Sequence, residues 1–187
     1  MLRRRRLDSA WRNAACLRTG AGDGADVEQP YPYRRHPVHL PPIERHNQSV
    51  IVLVTVCTDK RRHLLAQAES AAAVIGAWRE STAWLVGRYV LMPDHLHAFC
   101  SPASAEAPAL AAWVKFWKTQ SSFRWPFTED LPIWQTGFWD RQLRDSRHYG
   151  ERWDYVRNNP VRAGLAAKAD DWAWQGELNQ FRFHDGG

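Results

Sequence analysis

One stretch limits the folds open to this chain more than any other: Ser49–Cys57 (SVIVLVTVC) is β-branched and nearly continuous in apolar residues. A run of that type and length predicts a strand in the middle of a sheet. Leu64–Glu80, which follows, is Ala-rich, with Leu65, Ala68, Ala72, Ile75 and Trp78 at helical spacing. Trp84–Leu91 predicts a second strand. Met92-Pro93-Asp94 predicts a turn, because proline presets φ and aspartate tolerates the bend. His95–Ser101 then returns as a third strand, and Ala105–Phe123 predicts a second helix. Ile133–Leu143 carries the strand-like pieces IWQ and FWDRQL around Gly137. Ser146–Asn159 predicts a third helix stopped by Pro160, since the residue before a proline is disfavoured in helical geometry. The order β-α-β-β-α-β-α is that of a ferredoxin-like split βαβ with one helix added. It implies an α+β fold: an antiparallel sheet with helices on one face, the other face open to a ligand.

The 187 residues fit one domain with an extra arm. The expected organisation is a basic arm over residues 1–32, a domain over 33–180 and a tail over 181–187. The arm holds four consecutive arginines and then Gly20, Gly22 and Gly24 among Asp and Ala. The prolines at 30, 32, 37, 41 and 42 predict an extended stretch after it. Charge is uneven. Residues 1–62 hold 12 Lys/Arg against 6 Asp/Glu, whereas residues 63–187 hold 13 against 14. A basic arm suits a phosphate-bearing partner or is simply solvated, and charge does not choose. Cys16, Cys57 and Cys100 are odd in number and form no C-x-x-C pair, which argues against a disulfide framework or zinc ribbon. Arg3–Arg6 opens like a leader, but Asp8, Arg12, Asn13 and Arg18 interrupt any apolar core after it. No stretch approaches the roughly 20 apolar residues of a membrane span. A soluble, cytoplasmic protein is the expectation. Eleven tryptophans are core or base-stacking platforms, and composition leaves both open.

His95-Leu96-His97 begins the third predicted strand. The side-chain period of two puts both imidazoles on one face and Leu96 on the other, so two nitrogens can meet one ion. Alternate histidines on an exposed strand also arise from packing alone. If an ion is held, imidazole suits transition metals better than magnesium, so Mn²⁺ should serve at least as well as Mg²⁺. On the last predicted helix, Tyr149 and Tyr155 are six residues apart, about 240° of rotation, and cannot both aim at one site. Tyr155 shares a face with Asn159 at i+4 and Arg152 at i−3. A phenol beside a carbonyl oxygen that completes a metal's coordination, with a cation for phosphate, is a workable nucleophile site. Packing of Tyr155 against the sheet is the competing reading.

The segments YVLMPDHLHAFCSP (89–102), YVRNNPVRAGL (155–165) and DDWAWQGEL (170–178) together resemble the hairpin, HUH motif and tyrosine motif of the REP-associated tyrosine transposases, which are single-tyrosine HUH enzymes. The resemblance spans roughly residues 30–180. It implies a ferredoxin-like fold and a divalent metal, Mg²⁺ or Mn²⁺, on His95, His97 and Asn159. It also implies Tyr155 as nucleophile and single-stranded DNA bearing palindromic hairpins as partner. Asp94 stands where many relatives carry Asn, which adds a negative charge near the metal without abolishing binding. Lys115, Lys118, Arg141, Arg144, Arg147 and Arg152 are candidate DNA contacts, with solvated charge as the alternative for each. Trp113 and Trp117, at i and i+4, read first as a core stripe. The expected activity is cutting and rejoining of DNA at REP-like hairpins through a 5′-phosphotyrosine, by a protein acting as a monomer. The alternative is a hairpin-binding regulator that has lost catalysis. An RNA-binding module of this fold would need paired aromatics on the central strand, and residues 49–57 offer none.

Overall fold

The computed structural model describes residues 50–181. The expected basic arm, the proline-rich stretch up to residue 49 and all but the first residue of the tail lie outside them. Five strands form one sheet in the order β4-β1-β3-β2-β5: β1 (Val52–Cys57), β2 (Trp84–Leu91), β3 (His95–Pro102), β4 (Trp139–Gln142) and β5 (Gln175–Glu177). Every pairing is antiparallel. Helices α1 (Ala68–Glu80) and α2 (Leu110–Phe123) complete the expected ferredoxin-like arrangement.

β1 lies between β3 and β4, so its long apolar run serves two faces. Val52, Val54 and Val56 point into the larger core with α1 and α2, while Ile51 and Leu53 join a second cluster on the opposite face. The tryptophans settle mainly as core. Trp78, Trp84, Trp113, Trp117 and Trp125 are buried, and Trp117 packs edge-on against Trp78 at 5.7 Å and Trp134 at 5.3 Å. Edge-to-face pairs at such spacing add to the burial of the rings. The Trp113–Trp117 stripe is therefore core, as its spacing predicts.

The structure differs from the sequence reading at several ends. Helix α1 starts at Ala68, because Leu64 and Leu65 give their backbone N–H groups to Pro93 O at 2.8 and 3.0 Å. Helix α2 starts at Leu110, after Pro108. The IWQ piece forms no ladder. Trp134 makes a single bridge to Thr58, flanked by bonds Asp59 N to Ile133 O and Gln135 N to Cys57 O. β5 was not expected; it is three residues long and holds too little pattern to read. Pro160 does not end the helical path. Helix α3 (Ser146–Arg157) gives way at Asn158, and a short α4 (Asn159–Arg162) begins with Pro160 in its first turn, where a proline's missing N–H costs nothing.

The expected open face is not open along its length. Helix α3 and the chain after it cover part of it, enclosing Ile51, Leu53, Val90, Met92, Phe99, Leu143 and Val156. Tyr149, Trp153, Leu165, Trp172 and Phe181 pack onto that cluster. Helices α1 and α2 thus share one face, and α3 lies on the other. No described helix is long and apolar enough to cross a membrane.

Candidate metal and nucleophile site

β3 does what its alternation predicts. Leu96, Ala98 and Cys100 enter the core beneath α1 and α2, so His95 and His97 share the opposite face with Phe99. The two imidazoles stand edge to face with centroids 4.9 Å apart. Each is held by its Nδ1. His95 Nδ1 lies 2.6 Å from Asp94 Oδ1, and His97 Nδ1 lies 2.8 Å from Thr55 Oγ1 on the neighbouring strand. The turn that aims them is closed by Met92 N to His95 O at 2.8 Å. It is tied to β1 by Thr58, whose N–H donates to Asp94 O at 3.0 Å.

The charges follow from this geometry. Burial pushes the Asp94 carboxyl up, but the hydrogen bond from His95 and the charges of His95, Arg61 and His63 outweigh it and hold it below its ordinary value. Asp94 is therefore a carboxylate at neutral pH, and a carboxylate only accepts, so His95 Nδ1 carries a proton toward it and the Nε2 edge points away from Asp94. Burial, then the charges of His95 and Arg61, hold His97 well below the ordinary imidazole value against the pull of Asp94. Neutral imidazoles with Nδ1 engaged are the ligand form, and a carboxylate behind a ligating histidine fixes its tautomer and raises its basicity. The pair thus fits a divalent ion as two ligands. Among the described residues, no group of three or more His, Cys, Asp or Glu comes together to hold one. Any further protein ligand among the described residues would have to come from another residue type.

Helix α3 is oriented by its packed side. Tyr149 and Trp153 meet Phe99 edge-on at 5.0 and 6.0 Å, and Val156 is fully buried. Its N-terminus is capped by Asp145, which accepts from His148 N at 2.7 Å. Burial pushes the Tyr149 phenol up against the lowering charge of Arg88, with Glu177 adding to the rise, and its ring is packed on Phe99. Tyr155 turns off that side, 42% exposed, and the Arg162 guanidinium sits 4.3 Å over its ring. The two tyrosines do diverge, and Tyr155 is the accessible one. Asn159 opens α4 rather than continuing α3, and Asn158 between them stays right-handed (φ −86°, ψ 0°).

The expected DNA contacts sort unevenly. Lys118 is buried. Its ammonium donates to the carbonyls of Gln135, Thr136 and Gly137, at 3.5 Å for Thr136 and 3.2 Å for Gly137, so it ties α2 to the 135–137 loop and does not reach a phosphate. Lys115, Arg141, Arg144 and Arg147 are exposed. Arg152 is partly buried, with its Nε 3.4 Å from His148 Nε2. Two residues at this site escaped the sequence reading. Trp139 on the edge strand pairs with Thr55, itself paired with His97, and so stands in the same row on the same face, 36% exposed. Arg61 pairs its Nε with Asp94 Oδ2 at 2.8 Å. The FWDRQL alternation could have placed Trp139 on a face but not on this one, and nothing in the sequence joins Arg61 to Asp94.

No family model matches the chain. A REP-associated tyrosine transposase of Escherichia coli (strain K12) is 26% identical over 90 residues, which cover 46% of this chain and 50% of that protein. A putative REP-associated tyrosine transposase of Haemophilus influenzae is 28% identical over 102 residues, covering 45% and 53%. The chain therefore spans about half the length of the curated relatives it matches. Among solved structures, a REP-associated tyrosine transposase bound to a REP hairpin superposes with a TM-score of 0.57 at 21% identity, over 73% of this chain and 82% of that one. The chain is thus similar in sequence to the REP-associated tyrosine transposases over half their length and has their fold, which bears out the resemblance carried by its histidine and tyrosine motifs.

Proposed function

We propose that this chain is a metal-dependent, single-tyrosine transposase-type endonuclease that cuts and rejoins single-stranded DNA beside REP-like hairpins. One observation carries the reading. His95 and His97 have both Nδ1 atoms engaged and their Nε2 edges left for an ion, on the sheet face that α3 also packs against. The curated relatives that carry the name transposase, and the solved relative bound to a REP hairpin, support the same reading.

In this reading His95 and His97 hold Mg²⁺ or Mn²⁺, and Asn159 is the proposed third ligand through its amide oxygen. A divalent ion bound there would polarise the scissile phosphate and offset charge on the leaving oxygen. Asp94 and Thr55 keep the imidazoles in the ligand tautomer and orientation. Tyr155 supplies the nucleophile. Its phenol oxygen forms a bond to phosphorus as its proton passes to solvent, the bond from phosphorus to the 3′-oxygen breaks, and that oxygen takes up a proton to become a 3′-hydroxyl. One phosphodiester is exchanged for another, a 5′-phosphotyrosine, so an incoming 3′-hydroxyl can reverse the step and join strands. Arg162, over the Tyr155 ring, and Arg152, on the same helix as Tyr155, would neutralise the phosphate during attack. The exposed Lys115, Arg141, Arg144 and Arg147 would follow the backbone, and Trp139 would stack on an unpaired base. The protein would act as a monomer in the cytoplasm.

The test is covalent trapping. Labelled oligonucleotides carrying a REP-like hairpin and a single-stranded flank are mixed with the protein and Mn²⁺ or Mg²⁺, and an SDS-resistant adduct is sought. The adduct should survive Tyr149→Phe and vanish with Tyr155→Phe and with EDTA. Tight hairpin binding without an adduct under either metal would instead support a hairpin-binding regulator that no longer cuts.

A further inference from the structure

The segment Asp59–Arg61 is a single 3-10 turn in which two consecutive non-glycine residues, Lys60 (φ 52°, ψ 24°) and Arg61 (φ 56°), hold left-handed backbone. L-residues with a Cβ adopt that region at an energetic cost, and such strain persists only where the surroundings over-determine it. Packing is not what holds it, because none of the three side chains is buried. Hydrogen bonds do. Asp59 N donates to Ile133 O at 2.7 Å, Arg61 N to Thr58 O at 3.1 Å, Arg62 N to Asp59 O at 3.2 Å, and Thr58 Oγ1 to Arg62 O at 2.7 Å. The Arg62 guanidinium clamps the far side by donating to the carbonyls of Asp130 and Pro132. A tight hydrogen-bonded frame thus forces a turn that contributes nothing to the core.

What the turn does is aim Arg61. Its Nε meets Asp94 Oδ2 at 2.8 Å, and Nη1 donates to Cys57 Sγ. The other oxygen of the same carboxylate holds His95 Nδ1 at 2.6 Å. One carboxylate therefore separates the guanidinium from the first histidine of the pair. A guanidinium has five N–H donors in a fixed fork, and two of Arg61's are engaged here. Among the described residues the remaining three have no partner, and the side chain is 49% exposed. Its position is anchored through Asp94, the carboxylate that also holds His95, and half of its side chain is open to solvent. A fork of that kind suits a phosphate oxygen pair.

We infer that Arg61 is a phosphate-contacting residue of this site, a substrate-strand anchor that the left-handed turn presents beside the histidine pair. The inference rests on the DNA-cutting reading above and adds the residue that grips the single strand next to the cut. The competing role is purely internal, with Arg61 serving only to hold Asp94 in place.

Binding of a hairpin oligonucleotide with a single-stranded flank, measured in EDTA over a salt series, separates the two. Arg61→Ala should weaken binding of the flanked oligonucleotide about tenfold and lower the magnitude of the salt slope by about 1, as expected when one phosphate is no longer neutralised. It should leave Mn²⁺ affinity within about threefold by calorimetry. Arg61→Lys should recover part of the affinity and most of the slope, because the charge is kept and only the fork is removed. An unchanged salt slope together with weakened Mn²⁺ binding would overturn the inference in favour of the internal role. A wild-type protein that binds neither the flanked nor the bare hairpin would overturn the DNA-cutting reading, and this inference with it. Wild-type binding that Arg61→Ala leaves untouched would sink this inference alone.

Discussion

The docking of α3 draws on an aromatic cluster around Phe99, and Phe99→Leu isolates that contribution. Val156 is the one residue of α3 that is buried, and Tyr149 and Trp153 pack onto the same apolar cluster. Both rings stand edge-on to Phe99, at 5.0 and 6.0 Å, and Arg88 lies over the same two rings at 5.7 and 5.2 Å. An aromatic edge interaction contributes about 0.5–1.5 kcal/mol beyond area burial, so removing two costs about 1–3 kcal/mol. Leucine retains much of the volume, whereas Phe99→Ala would cost about 3–5 kcal/mol and threaten the whole fold. Because the loss falls on one face, it should act on local opening of α3 first. Amide exchange in α3 should speed up roughly 5- to 150-fold, following tenfold per ~1.4 kcal/mol. Exchange in α1 and α2, on the far side of the sheet, should change little. Adduct formation should slow while hairpin binding holds. Equal acceleration on both faces would refute the idea that Phe99 pins α3 locally, and no acceleration anywhere would refute the energetic argument itself.

Three further outcomes follow from the geometry. Burial depresses the Lys118 ammonium from 10.5 to about 8. Between those values the unfolded chain holds a proton that the folded one has shed, so stability should rise with pH there. The rise should reach about 1–3 kcal/mol relative to Lys118→Met, as read from urea melts at pH 7.5 and 9.5, and parallel behaviour of the two proteins would count against it. Asp94→Ala removes the acceptor behind His95 and should weaken Mn²⁺ binding about 10–100-fold by calorimetry, while Asp94→Asn keeps an acceptor oxygen and should lose no more than about tenfold. Trp139→Ala should reduce affinity for a hairpin carrying a single-stranded flank by about 5–150-fold, the worth of one stacked base, without altering affinity for the bare hairpin. An equal loss on both oligonucleotides would remove Trp139 from the strand path.

The parts of this molecule that were readable from sequence are those governed by local periodicity. The run 52–57, the alternation at His95-Leu96-His97 and the Trp113/Trp117 stripe each carry a period that one element obeys alone. What escaped reading depends on partners distant in sequence. Leu64 and Leu65 leave the helix because Pro93 offers them a carbonyl. Lys118 looks like a surface cation in its own segment, and three carbonyls 17 to 19 residues away bury it. β5 exists only because Arg88, Tyr89 and Val90 lie beside it. The Arg61–Asp94 pair spans two elements joined only by the closure of the sheet. The histidine and tyrosine motifs were legible as motifs, but the atoms that tune the histidines, Asp94 Oδ1 and Thr55 Oγ1, were not.

The two sides of the sheet divide the work, and β1 shows how one strand serves both. Its even-numbered residues from Val52 to Val56 sit in the large aromatic core, which needs no polar atom from them. Its odd-numbered residues run from Leu53, under α3, through Thr55, bonded to His97, to Cys57, paired in register with His95. Within this short run the second face passes from pure packing to the polar end of the site. The histidine pair therefore sits where the cover of α3 gives way to partly exposed groups. That placement holds the imidazoles by hydrogen bonds on the sheet and leaves Tyr155 exposed on α3. In the proposed reading, a nucleophile that attacks, stays attached to a DNA end and later releases it would benefit from standing on an exposed helix face, whereas metal ligands would benefit from the fixed sheet.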